Sequence, residues 1–358
     1  MLRFSKKKFC IYFWAILTLS FIFYAEFLNY KLNSRTWPRM SCKSDSDCTR
    51  ILLVADPQII GRLNEIIHPI TPFSIFDSDR YLKITYFYAY TFVNPHVVIF
   101  LGDLMDEAHI ASDDDFYSYV RRIFDIFLKP YSQNNHVKHI WLPGDNDIGG
   151  EDTQVTPKKL QRFERAFSQA SINNIRNITF FKINRLTGII PVYKKEREFY
   201  DTSKIFVGLS HVPLMFRPSV FSEKVINKMW PHILFTAHEH KSMIINTDAL
   251  LHRDFHIIPV NPDNSEVYEY PLGVQDMYEI MIPTCSYRMG TMKIGYGFAI
   301  IENSEVRFTV LWSPTRFDKL FGYLILIVLP FAFICFFKTY GCVKRNICKM
   351  LLLFLLHF

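Results

Sequence analysis

Short apolar runs, each closed by a cluster of acids, amides or imidazoles, constrain this chain more than any other feature. Ile51 to Ala55 is followed by Asp56-Pro57-Gln58, and His96 to Leu101 by Gly102-Asp103 with Asp106 close behind. His139 to Leu142 leads into Gly144-Asp145-Asn146-Asp147. Ile205 to Leu209 leads into Ser210-His211, and His232 to Thr236 into Ala237-His238-Glu239-His240. Such runs, bounded by turn formers, read as buried strands; Ile178 to Ile183 is another. Helical stretches at Ser78 to Phe92, Phe116 to Leu128 and Pro157 to Phe167 lie between them. Pro157 suits a first helical turn, where its missing N–H is not needed. Strand alternating with helix predicts an α/β sandwich. Tyr278 to Ile282, Tyr296 to Ile301 and Val306 to Trp312 alternate in character and predict hairpins that complete two mixed sheets flanked by helices.

In α/β sheets the ligand crevice lies at the strand C-terminal ends. Five strands would therefore bring carboxylates and imidazoles to one edge. Singly, an Asp after a strand is usually a turn or helix-cap residue, and a lone His is usually satisfied by hydrogen bonding. The ordered set of five is what points to a shared metal site. Carboxylate mixed with imidazole suits Mn, Fe or Zn better than Ca. The donors exceed what one ion takes, so two divalent ions are expected, with manganese the first candidate, clamping a phosphoryl group.

Two uncharged apolar segments flank this region, within residues 9–29 and 320–337, and each approaches the length of a bilayer span. The first is long for a signal peptide and lacks a clear cleavage site, so it reads as an anchor. Arg3, Lys6, Lys7 and Lys8 precede it, and Lys338, Lys344, Arg345 and Lys349 follow the second. Both tails, 1–8 and 338–358, are therefore expected in the cytosol, with a linker at 30–49 and one domain at 50–313 in the lumen. The tails account for the net charge of +7. A domain without a basic excess has no footprint for nucleic acid. Cys42 and Cys48 flank a short polar loop suited to a disulfide in an oxidising compartment. Cys342 and Cys348 would face the cytosol, where palmitoylation is open to them. Asn177-Ile178-Thr179 is a glycosylation sequon.

The ordered motifs resemble the calcineurin-like metallophosphoesterase superfamily over residues 51 to about 300. More narrowly the chain looks like the metallophosphoesterase 1 group, through Asp56 to Gly61, Leu101 to Glu107, Asp147-Ile148-Gly149, Arg162 to Phe167, Ser286-Tyr287-Arg288 and the two flanking spans. Position by position, the resemblance implies Asp56, Asp103 and His240 for a first ion. For a second it implies Asp103, Asp145, His211 and His238, with Asp103 bridging. Asp106 and Asp147 would orient ligands, and Arg288 would hold a phosphate oxygen; a structural role for Arg288 stays equally open. The chain departs from the family at three places. Gln58 replaces a His and offers at most an amide oxygen. Ala237 replaces a Gly. Asp145-Asn146 stands for Asn-His, which puts an amide where the family carries a proton donor; in an alternative register Asn146 is itself a ligand. The resemblance implies a phosphodiesterase that removes ethanolamine phosphate from GPI-anchor glycans on GPI proteins or glycolipid. Its setting would be the membrane of the ER, the ER–Golgi intermediate compartment or the Golgi, during ER-to-Golgi transport. Two other readings stay open: a metal-binding pseudoenzyme or cargo-binding protein, and a lumenal phosphatase for small esters.

Overall fold

The computed structural model describes residues 6–44, 47–63, 69–131, 133, 136–195, 198–199, 201, 203–248, 255–263, 266–273 and 276–332. Strand β1 (Thr49–Val54) runs parallel to β2 (Val97–Phe100), and β2 runs parallel to β3 (Lys138–Trp141). On its other side β1 meets β12 (Gly295–Glu302) antiparallel, with Ile51 opposite Ala299. Strands β13 (Glu305–Trp312) and β10 (Tyr268–Pro271) extend this six-stranded sheet beyond β12. The second sheet has seven strands. Its parallel centre is β5 (Ile178–Lys182), β6 (Ile205–Leu209), β7 (Ile233–Thr236) and β11 (Asp276–Met281). Strand β4 (Ile172–Ile175) closes one edge, and β8 (Met243–Asp248) with β9 (Phe255–Pro259) closes the other.

The apolar runs are continuous because these strands are buried on both faces. Ile51, Leu53, Val97 and Ile99 cluster with Phe180, Val207 and Phe235 of the second sheet. Their neighbours Leu52, Val54, Val98 and Phe100 face the opposite way. They cluster with Tyr86 of α3 (Thr71–Val93) and with Phe116 and Phe127 of α4 (Asp113–Phe127). Helix α7 (Val220–Met229) covers the outer face of the second sheet, packing Val225 and Met229 on Phe181, Phe206 and Leu234. Helix α4 starts where Ser112 accepts the Asp115 N–H at 3.2 Å, and three aspartates fill its positive first turn. Helix α6 (Pro157–Ala166) is capped by Thr156.

Residues 30–44 and 47–49, part of the stretch polar in sequence and expected as a linker, pack with the domain. Trp37 is buried and its indole N–H donates to the Trp312 carbonyl at 2.8 Å, beside Asn33 at 2.6 Å. Cys42 and Cys48 form a disulfide. The compact unit accordingly runs from Asn29 to Pro314.

A second unit comprises Met1–Leu28 and Thr315–Phe358. It contains helix α1 (Lys6–Phe23), the wider helical turn Tyr24–Leu28 and a helix over residues 317–332. Within this unit Phe21 meets Tyr323 edge-on at 5.1 Å. Glu26 accepts from Arg316 at 2.9 Å and from the Tyr323 hydroxyl at 2.5 Å. The helix Tyr12–Ser34 is long and apolar enough to cross a membrane, and Phe13, Leu19 and Phe23 lie exposed on it. The C-terminal apolar segment is described only to residue 332. The rest of 320–337, the basic tail with Cys342 and Cys348, and residues 1–5 lie outside the described residues.

Candidate metal centre

Parallel pairing puts the C-terminal ends of β1, β2 and β3 at one edge of the first sheet, and those of β6 and β7 at one edge of the second. The residues that follow converge. Oxygens and ring nitrogens of Asp145, His211 and His238 lie within 4.8 Å of one another, as do those of Asp56, Asp103 and His211. His211 Nε2 is 2.9 Å from Asp145 Oδ1 and 3.5 Å from Asp103 Oδ1. His238 Nδ1 is 3.1 Å from Asp145 Oδ1. His240 is further out, its Nε2 3.3 Å from the Gln58 amide.

The backbone is bent to make this meeting possible. Asp56, Gln58, Asp103, His238 and His240 all have φ between 38° and 72°, in the left-handed region. Non-glycine residues held there cost on the order of 1–3 kcal/mol each and persist where surroundings force them. Two glycines leave the room required. A Cβ on Gly102 would lie 2.6 Å from His211 Nδ1, and one on Gly144 would lie 2.1 Å from Asp103 Oδ1.

The donor set fits a cation. Asp56 is fully buried, and among the described residues neither of its oxygens receives a hydrogen bond. Burial, reinforced by the Asp103 charge and only partly offset by His211, pushes its carboxyl up to about 8. Burial likewise raises Asp103 to about 6. Burial opposes a charge on His211, yet Asp103, Asp145 and Asp56 together raise it to about 10. A cluster of buried carboxylates that pulls protons onto its neighbours is a site short of positive charge. Burial, then repulsion from His238, lowers His240 to about 4, leaving its ring neutral and able to ligate.

His211 belongs to both groups, where the resemblance implies that Asp103 does. Donor chemistry separates them. His211 Nδ1 faces the Leu101 carbonyl at 2.8 Å, so that nitrogen carries the proton and only Nε2 has a lone pair to give. One lone pair serves one ion, whereas the two oxygens of Asp103 can serve two.

Asn146 lies against Asp103 rather than alone. Its backbone N–H donates to Asp103 Oδ1 at 3.0 Å and its side-chain amide to Oδ2 at 2.9 Å. The Gln58 amide donates to the same Oδ2 at 2.9 Å. Asp147 accepts from the N–H groups of Leu104, Met105 and Gly144, at 2.9–3.1 Å, tying the second motif to the third. Asp106 faces Arg288 at 3.7 Å. Asn177 sits in the turn between β4 and β5.

Two contributors escape the sequence. Glu151 Oε1 lies 3.2 Å from His238 Nε2, the ring nitrogen turned away from Asp145. A carboxylate behind a ligating imidazole fixes its tautomer and raises its basicity. The Asp147-Ile148-Gly149 motif just before it was the nearest signal in the sequence. Glu151→Gln is expected to weaken metal binding by about 10–100-fold. Titrating metal into both proteins checks this, with little change in thermal stability because Glu151 is exposed. The second contributor is Glu279, buried in β11, which accepts from the N–H groups of Leu214, Met215 and Phe216 at 2.7–2.9 Å. It fixes the loop that follows His211.

No family model matches the chain. Metallophosphoesterase 1 from Danio rerio is 28% identical over 156 residues, which cover 42% of this chain and 37% of that protein. Cell division control protein 1 from Saccharomyces cerevisiae is 24% identical over 298 residues, covering 71% of this chain and 54% of the yeast protein. The matches thus span about a third to a half of these relatives' length. Among solved structures, a dimetal phosphatase from Danio rerio aligns over 74% of this chain and 96% of its own at 11% identity, with a TM-score of 0.41.

Proposed function

We propose that this chain, a relative of the metallophosphoesterase 1 proteins within the calcineurin-like superfamily, is a metal-dependent phosphodiesterase. The observation that carries the proposal is the convergence of three buried carboxylates and two imidazoles at paired strand ends, with the Asp56 carboxylate receiving no hydrogen bond among the described residues. Asp145, His211 and His238 would hold one divalent ion, and Asp56 and His240 a second, with Asp103 shared. Manganese suits this mixed oxygen and nitrogen set. Two such ions, when bound, supply a water of lowered pKa and neutralise charge on the phosphoryl oxygens.

The chain's own part is positioning. Asn146 and Gln58 hold both oxygens of Asp103 in one orientation. Leu101 fixes the tautomer of His211, and Glu151 that of His238. Near neutral pH Asn146 can donate a hydrogen bond to a leaving oxygen but no proton. Arg288, beside Asp106 at 3.7 Å, is the candidate for a phosphate oxygen.

For the substrate, we propose the ethanolamine phosphate of GPI glycans, on GPI-anchored proteins or free glycolipid, in the ER-to-Golgi membranes. An anchored, lumen-facing domain would meet such a substrate at the bilayer. The test is hydrolysis of ethanolamine-phosphate glycans by purified manganese-loaded protein, alongside the GPI glycan profile of cells lacking the chain. Unchanged ethanolamine phosphate in those cells overturns the substrate assignment. Metal uptake with no turnover of any ester would favour the pseudoenzyme reading, which the amide at position 146 motivates. Selective turnover of monoesters would favour a small-ester phosphatase. The orientation has its own check: in sealed microsomes the stretch from 30 to 319 should resist added protease, and Asn177 should carry glycan. Digestion without detergent would reverse the topology.

A further inference from the structure

Glu239 stands between the two imidazoles of the last motif and belongs to neither group of candidate ligands. The turn that carries it is strained on both sides, with φ at 72° for His238 and 56° for His240. Non-glycine residues keep such a backbone only where their surroundings impose it. Burial alone does little of that here, because His238, Glu239 and His240 are each only partly buried. The Glu239 N–H donates to the Ala237 carbonyl at 2.9 Å, within the same turn. At its midpoint the turn meets Arg217, whose guanidinium lies 2.5 Å from Glu239 Oε1.

Arg217 is a firm post for such a hold. It ends the loop of residues 212–217, which follows His211 and leads from β6 to α7. The loop begins on the turn itself, where the His211 carbonyl accepts from the Ala237 N–H at 2.9 Å. The Ser210 hydroxyl donates to the Val212 carbonyl at 2.7 Å. The Glu279 carboxylate takes the N–H groups of Leu214, Met215 and Phe216. Arg185 donates to the carbonyls of Pro213 and Arg217, the latter at 2.6 Å. Each residue from 212 to 217 thus has a backbone group pinned by a side chain, and the Arg217 guanidinium projects from a fixed point. The loop and the turn meet twice, through the backbone at His211 and Ala237 and through side chains at Arg217 and Glu239. Because this ring is already closed at one end, the ion pair orders little new chain in forming.

We infer that Arg217 and Glu239 are a positioning pair, which holds the turn of residues 238–240 in the geometry that aims both imidazoles at the metal centre. The inference rests on the two-ion reading above. It differs from the support that Glu151 gives, which reaches His238 alone. The Arg217–Glu239 pair acts on the turn as a whole, and so on both ions, through His238 at one and His240 at the other.

The experiment titrates manganese into metal-free, full-length wild type, Arg217→Met, Glu239→Gln, Arg217→Lys and the exchanged pair Arg217→Glu with Glu239→Arg. Arg217→Met and Glu239→Gln should each weaken both manganese sites by roughly 5–10-fold. That lies between the effect of an exposed ion pair and that of a partner bonded directly to a ligand. Arg217→Lys and the exchanged pair should recover much of the loss. Arg217→Met combined with Glu239→Gln should lose no more than either alone, since both remove one contact. The melting temperature of the metal-free variants should be nearly unchanged, because a half-exposed ion pair contributes little to folding. Weakening confined to one site, additive losses in the double variant, or a fall in melting temperature that accompanies the weaker binding overturns the inference. Unchanged manganese affinity with a raised KM for bis(4-nitrophenyl) phosphate in Arg217→Met would make Arg217 a substrate contact, and also overturn it. Should wild type take up no manganese, the two-ion reading fails. Amide hydrogen exchange of the metal-free proteins then still decides the hold: faster exchange at residues 237–241 in both single variants supports it, and unchanged exchange overturns it.

Discussion

Asp103→Ala is expected to reduce bound metal from two equivalents to fewer than one and to bring hydrolysis down to background. Asp103 is the carboxylate whose two oxygens can serve two ions, so its loss opens both sites at once. The substitution also strips the acceptor from three donors, the Asn146 backbone, the Asn146 amide and the Gln58 amide. Buried donors left without acceptors cost about 1–3 kcal/mol each. Part of that is offset, because removing one of several crowded carboxylates relieves repulsion on Asp56 and Asp145. The fold should therefore survive, and Asp103→Asn serves as the control that keeps the volume. Metal analysis and circular dichroism on both variants separate loss of ions from loss of structure. By comparison His240→Ala should weaken mainly one site, since His240 stands apart from the Asp145, His211 and His238 group. Two full equivalents of metal in Asp103→Ala would contradict the shared-carboxylate assignment.

The second large effect is expected at Asn146. A histidine there keeps the backbone N–H to Asp103 but loses the side-chain amide bond. In exchange it gains a group that can protonate a leaving oxygen near neutral pH. General acid assistance is typically worth ~100–10,000-fold, and the benefit grows with leaving-group basicity. Asn146→His should therefore speed hydrolysis of alkyl phosphodiesters far more than of nitrophenyl ones, at matched metal content. Equal acceleration of both substrates would place the side chain away from the leaving group. Loss of one metal equivalent would identify Asn146 as a ligand, as in the alternative register.

The parallel strands were legible because burial on both faces leaves an unbroken apolar run, and β1, β2, β3, β6 and β7 each end within a residue or two of the expected position. The elements that escaped are of another kind. Strand β4 reads Ile-Asn-Asn-Ile and β10 reads Tyr-Glu-Tyr-Pro; both are sheet edges, where one flank is open and composition is free. Helix α7 was hidden because only Val225 and Met229 of its apolar face are needed to cover the sheet. The metal ligands were visible as an ordered set of polar residues after strands. Their supports were not. Glu279 lies in the middle of an apolar strand, and Glu151 in a polar loop, and neither position reveals that a backbone loop or an imidazole waits three-dimensionally next to it. The packed state of residues 30–44 and 47–49 was equally hidden, since scattered contacts hold that segment: Trp37 and Asn33 on the Trp312 carbonyl, the backbone of Lys43 and Ser44 on Glu302, and the disulfide.

The Glu26–Arg316 pair has a consequence for how this protein is made. Its partners are 290 positions apart in the chain. During synthesis the helix carrying Glu26 emerges first, and its carboxylate must wait for nearly the entire polypeptide before Arg316 and Tyr323 arrive. The helix that carries Glu26 gains this ion pair only after residues 29–314 have been synthesised. A product truncated before Arg316 lacks this ion pair.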